Sequence, residues 1–223
     1  MKKIFLLLLP SIFLFSNCNN DTATQKSAEK NTVQATKSAT KNILFFGNSL
    51  TAGYGLEDVS QGFVQLLQGR IDSLQLSYRC INGGLSGETT AGGKERVEWL
   101  IDAQPISIFV LELGGNDALR GINPEASFQN LQSIIDKVKA KYPDCKIVLA
   151  GMEAPRNMGK TYITAFHDMY PALSKMNNLP LIPFILDGVG GIKELNQADG
   201  IHPTAQGNQI IVETIWKTLK PIL

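Results

Sequence analysis

The chain has 223 residues, 43% of them hydrophobic and 18% charged, which suits one domain with a sizeable core plus flanking segments. Its 21 basic and 20 acidic side chains leave a formal net charge of +1. With no basic run interleaved with aromatics, that balance excludes a nucleic-acid surface as a partner.

Lys2 and Lys3 precede the apolar run Ile4–Phe15, which is short for a bilayer span and has the make-up of an export leader. The run ends at Phe15-Ser16-Asn17-Cys18. A cysteine directly after such a core resembles the lipobox of bacterial lipoproteins, although Phe15 and Asn17 stand where Leu and Gly or Ala are usual. The resemblance implies a lipidated Cys18 and a membrane anchor in the bacterial cell envelope, since several acyl chains hold where one does not. The alternative is an ordinary secretory peptide with Cys18 incidental. From Asn19 to about Thr40 the chain is rich in Ser, Thr, Ala, Lys, Asn and Gln. Such a segment cannot bury enough apolar surface to offset its ordering entropy and is read as a flexible tether. The expected organisation is therefore a leader over 1–18, a tether over 19–40 and a folded domain over 41–223.

Within that domain, strand-like runs at Ile43–Phe46, Leu76–Ile81, Ile106–Glu112, Lys146–Ala150 and Leu181–Phe184 alternate with helix-like stretches. The helices are expected at Phe63–Ser73, Thr90–Ile101, Pro124–Lys141 and Tyr162–Met176, with a last one from about Pro203 to Leu219. Phe128, Leu131, Ile134, Ile135 and Val138 show the three-and-four spacing of one buried helix face. Alternation of this kind predicts a mostly parallel sheet covered on both faces. Active residues in such sheets gather at the carboxyl ends of the strands.

Three segments fall at such ends, and a fourth lies in the loop that opens the last helix. In Phe46-Gly47-Asn48-Ser49-Leu50-Thr51-Ala52-Gly53-Tyr54-Gly55-Leu56, a serine directly follows a buried-type strand; alone, that serine is more often a helix cap. Asn82-Gly83-Gly84-Leu85-Ser86-Gly87-Glu88-Thr89-Thr90 follows the second strand. There Gly87 can offer a backbone N–H to an oxyanion, Thr89 or Thr90 can cap the next helix, and Gly83 and Gly84 read as structural. Leu111-Glu112-Leu113-Gly114-Gly115-Asn116-Asp117 follows the third strand; the Asn116 amide can donate to the same oxyanion, and Asp117 to hold the loop. Asp199-Gly200-Ile201-His202-Pro203-Thr204 lies near the C-terminus. Of the two histidines, His167 falls inside a helix-like stretch as a surface or packing residue. His202 precedes a proline suited to a helix's first position, and Asp199 is placed to meet its Nδ1. Together the segments supply a nucleophile, a base, an orienting carboxylate and three oxyanion donors.

These blocks, GNSLTAGYGL, SGETTAGG, ELGGNDALRG and DGIHPTAQG, resemble in order those of the SGNH (GDSL-like) hydrolases, named for Ser, Gly, Asn and His. The similarity is greatest to the arylesterase, thioesterase I and lysophospholipase L1-like branch, and it covers Lys41 to Leu223. It implies a flavodoxin-like three-layer α/β/α fold of five parallel strands in the order 2-1-3-4-5. It also implies a small acyl-ester substrate and no metal or organic cofactor. By motif position Ser49, Asp199 and His202 would be the catalytic triad, with Ser49, Gly87 and Asn116 as oxyanion donors. Strands two and four would not be neighbours, so Cys80 and Cys145 would not form a disulfide. The chain departs from the family at Asn48, where Asp is usual. The alternatives are a carbohydrate acetylesterase, since relatives of this class deacetylate glycans, and a tethered binding module without catalysis.

Overall fold

The computed structural model describes residues 40–223; the leader, Cys18 and the tether lie outside the described residues. Five parallel strands form one sheet in the order β2-β1-β3-β4-β5. They are β1 (Lys41–Gly47), β2 (Tyr78–Gly84), β3 (Ile108–Glu112), β4 (Lys146–Ala150) and β5 (Leu181–Ile182). Helices cover both faces, giving the three-layer α/β/α architecture that the family resemblance implies. The reason is visible in β1, whose Ile43–Phe46 run is wholly buried. Phe45 meets Phe63 of α2 (Phe63–Ser73) edge-on at 6.0 Å. Phe46, one residue on and on the opposite face, stacks on Phe109 at 5.5 Å and faces Gly93 of α3 (Thr90–Ala103). On one side α3, α5 (Pro124–Lys141) and α6 (Lys160–Asn177) pack against one another; on the other, α2 packs against α7 (Ala205–Leu219).

The element boundaries differ from the sequence expectation where backbone chemistry overrides apolar content. β2 starts later, after a turn in which Gln75 takes a φ of 53°. It runs on through Asn82, Gly83 and Gly84, whose glycines pair with Phe46 and Gly47. A side chain at Gly84 would collide with the Ala52 backbone. β3 begins at Ile108 rather than Ile106. β5 stops at Ile182 because Pro183 has no N–H for the ladder. At the C-terminus Thr204, not His202 or Pro203, caps α7 by accepting from Gly207 N–H at 3.2 Å. Pro203 thus precedes the helix instead of occupying its first position, and it bridges to Asn196. Two short helices the periodicity did not reveal, α1 (Ser49–Ala52) and α4 (Gly115–Leu119), follow β1 and β3 directly.

Cys80 on β2 and Cys145 before β4 are free thiols, kept apart by β1 and β3. Burial pushes their thiols up to about 12 and about 11, so neither supplies a thiolate at neutral pH. Among the described residues, no helix is long and apolar enough to cross a membrane.

Candidate active site

The strand order reverses at β1, so the loops after β1, β2 and β3 open onto one crevice. The crevice is a cavity of about 1050 Å³ whose lining includes Ser49, Gly87, Asn116, Asp199 and His202. All five residues singled out by the motifs therefore border one space.

Ser49 is the first residue of α1, and Asn48 rather than Ser49 caps that helix, accepting from Leu50 N–H at 2.9 Å. The Ser49 hydroxyl is thus not consumed by capping. It lies 2.8 Å from His202 Nε2; the other acceptor near it, Asn48 Oδ1, is 3.4 Å away. His202 Nδ1 lies 2.6 Å from Asp199 Oδ2. Asp199 also accepts the backbone N–H groups of Ile201 at 2.9 Å and His202 at 3.0 Å. The bond from the His202 ring, followed by those two backbone bonds, lowers the Asp199 carboxyl to about 2. An ionised Asp199 can only accept, so it fixes the proton on Nδ1 and leaves Nε2 with the lone pair that faces Ser49. Hydroxyl, imidazole and carboxylate form a continuous chain.

Three residues that line the same cavity, Ser49, Gly87 and Asn116, carry N–H donors. The backbone N–H groups of Ser49 and Gly87 have no protein acceptor among the described residues. Gly87 takes a φ of +80°, a conformation that suits glycine. Asn116 donates one amide hydrogen to the Glu88 carbonyl at 3.0 Å and keeps a second on the same nitrogen. The Gly87 loop is held from three sides. Arg120 donates to the Gly87 carbonyl at 3.0 Å. Arg96 forms a two-pronged ion pair with the buried Glu88 and donates to the Gly83 carbonyl at 2.9 Å. Asp117, fully buried, accepts from Thr90 N–H and Ser127 Oγ, each at 2.9 Å. It ties α4 to α3 and α5, a loop-holding role.

His167 lies elsewhere, its Nδ1 2.7 Å from Glu153 on the protein surface. Leu119, Pro155 and Arg156 line the cavity. Sequence reasoning did not single out Tyr54, whose ring lies 4.7 Å from the His202 ring, or Gln197. Gln197 Nε2 donates to the carbonyls of Tyr54 at 2.8 Å and Pro203 at 3.0 Å. Its backbone N–H donates to the His202 carbonyl at 2.7 Å. One residue thereby clamps the segment after the serine to the segment bearing the histidine.

Residues 45–210 match the model of the GDSL-like lipase/acylhydrolase family. The chain belongs to that family. It is 42% identical to the esterase TesA of Pseudomonas aeruginosa over 187 residues, covering 84% of this chain and 92% of that one. It is 34% identical to thioesterase 1/protease 1/lysophospholipase L1 of Escherichia coli K12, over 83% of this chain and 86% of the other. Among solved structures it resembles the psychrotrophic esterase EstA of a Pseudoalteromonas species, inhibited by monoethylphosphonate, with a TM-score of 0.76 and 30% identity. That match covers 81% of this chain and 97% of EstA. The protein is a serine hydrolase acting on ester bonds.

The clamp yields a test. Gln197→Ala should lower kcat for an ester substrate about tenfold, because small misplacements of reacting groups are costly, with a smaller change in KM. Steady-state kinetics alongside a thermal melt separates this from loss of fold.

Proposed function

We propose that Ser49 is the nucleophile, His202 the general base and acid, and Asp199 the residue that orients and charges the imidazole. The observation that carries this reading is the unbroken hydrogen-bonded chain from Ser49 through His202 to Asp199 along the cavity wall. In the first half-reaction His202 Nε2 takes the hydroxyl proton as Ser49 Oγ attacks the acyl carbonyl. The tetrahedral oxyanion then faces the N–H groups of Ser49 and Gly87 and the Asn116 amide, where one donor lowers the barrier by about 3 kcal/mol. The imidazolium returns its proton to the departing alcohol or thiol, leaving an acyl-serine. Water, deprotonated by His202, hydrolyses that ester and restores the enzyme.

The cavity walls favour an acyl group longer than acetyl. Leu119, Met152, Ile163, Phe184, Leu186 and Ile201 supply apolar surface in a space of about 1050 Å³, far more than a methyl group fills. Thioesters and lysophospholipids carry such chains, and the name of the Escherichia coli relative includes both activities. We also propose that Cys18 is lipidated and that residues 19–40 serve as the spacer between an envelope membrane and the hydrolase domain. The apolar run ending at Cys18 supports this.

With p-nitrophenyl esters from acetyl to palmitoyl, kcat/KM should rise beyond acetyl. Each methylene buried contributes about 0.8 kcal/mol, so the gain is about fourfold per methylene until the pocket is full; a maximum at acetyl contradicts the long-acyl assignment. Ser49→Ala should reduce turnover by at least about four orders of magnitude, whereas His167→Ala should not. In detergent phase partitioning of the full chain expressed in a bacterium, the wild type should enter the detergent phase and Cys18→Ser the aqueous phase.

A further inference from the structure

Of the buried carboxyls that take no catalytic step, one bonds directly to the serine turn. Glu112, the last residue of β3, is only 1% exposed, and a carboxyl so placed needs partners to be tolerated. All of its side-chain hydrogen bonds go to the turn that carries Ser49. Glu112 Oε2 accepts from Asn48 N–H at 3.2 Å and Thr51 Oγ1 at 2.7 Å, and Oε1 accepts from Asn48 Nδ2 at 2.8 Å. Gly47 makes room for this, since a side chain there would collide with Thr51 Oγ1 and Glu112 Oε2.

The orientation of the Asn48 amide follows from its other end. The Leu50 N–H needs an acceptor, so the atom 2.9 Å from it is the Asn48 oxygen; the atom facing Glu112 is therefore the amino group. Asn48 is itself 2% exposed. An aspartate at this position would set one carboxylate oxygen against another, and the pair would have to share a proton to persist. Asparagine supplies a donor that never titrates.

We propose that Glu112 is the positioning residue of the nucleophile turn, and that Asn48 is its permanent hydrogen-bond donor, freeing the placement of Ser49 from a shared proton. This rests on Ser49 being the nucleophile. The groups that face Glu112 are few. Thr51 and Asn48, on α1 and its cap, are neutral. Tyr170 of α6 donates to the Leu113 carbonyl at 2.9 Å and is held well above its ordinary range by burial, with smaller contributions from Glu112, Asp117 and Glu153. Asp117 of α4 is occupied by Thr90 and Ser127. Among the described residues no cationic side chain pairs with Glu112. Burial raises the Glu112 carboxyl to about 7, against the lowering bonds from Thr51 and Asn48. A second carboxyl beside it would hold the pair's last proton to higher pH still, because the first negative charge opposes the second.

The experiment is the pH profile of kcat and KM for the wild type, Asn48→Asp, Glu112→Gln and the double variant, each checked by thermal melt. The wild type should hold a steady kcat from about pH 8 to about pH 10, since no shared proton leaves the turn in that range. Asn48→Asp should acquire an alkaline limb in kcat, falling about tenfold or more, with KM moving less. Glu112→Gln should lose about tenfold in kcat at every pH, because a glutamine cannot accept both from the turn N–H and from the Asn48 amino group. The double variant exchanges the partners: the amide nitrogen introduced at position 112 donates to the carboxylate introduced at position 48, and the amide oxygen takes the backbone N–H and Thr51. It should recover most of the lost kcat and show no alkaline limb. Superimposable profiles for the wild type and Asn48→Asp, or a double variant no better than Glu112→Gln, overturn the proposal. If Glu112→Gln does not fold, recovery of fold and turnover in the double variant supports the proposal, and failure of that recovery overturns it. Ser49→Ala separates the two levels. A loss there much smaller than about four orders of magnitude overturns the nucleophile assignment itself, whereas Ser49-dependent turnover with overlapping profiles overturns only the positioning role.

Discussion

A single hydrogen bond, from Ser49 Oγ to His202 Nε2 at 2.8 Å, joins two segments 153 residues apart in the chain. Its geometry cannot be met by local structure. Ser49 is fixed by the end of β1 and the short helix that follows it, His202 by the turn that Asp199 folds around two backbone N–H groups. The two halves come together only because the sheet is complete and α7 lies back along α2. The core therefore acts as the frame that brings the proposed nucleophile to its proposed base with no rearrangement needed at the moment of reaction.

The same frame recruits charge sparingly and puts it under the reacting groups. Glu112 bonds beneath the serine turn, Glu88 with Arg96 braces the Gly87 loop, and Asp117 pins the Asn116 helix. Each is a carboxyl buried at the carboxyl edge of the sheet, and each is satisfied by donors from the segments it holds together. Buried carboxylates of this kind are costly when a partner is lost. Bonds of this kind fix the loops around the proposed oxyanion site, whose donors have to point at a charge that exists only briefly.

Much of this was legible in the residues. Five apolar runs separated by amphipathic stretches fix the layered sheet, because each run is long enough only for a strand and each helix carries one apolar face. Ser49, Gly87, Asn116, Asp199 and His202 stood out because glycine-rich turns and a pre-proline histidine punctuate strand ends. The boundaries were less legible. Pairing of Gly83 and Gly84 with β1 is a tertiary fact that glycine's low strand preference conceals. Gln197 was hidden because a glutamine in a loop has no pattern of its own; its role arises from carbonyls 143 and 6 residues away. Glu112 did leave a signal, a lone acid closing the apolar run Ile-Phe-Val-Leu-Glu. In the residues Asn48 is only a departure from the usual Asp, and the bond to Glu112 shows it as a donor.

The most direct test of the central claim is intact-protein and peptide mass spectrometry after treatment of the full chain with a reactive alkyl phosphonate ester. A single adduct on Ser49, formed in step with loss of esterase activity, is the predicted result. Inactivation with the adduct on another residue, or a fully labelled Ser49 in an enzyme that still turns over, would contradict it.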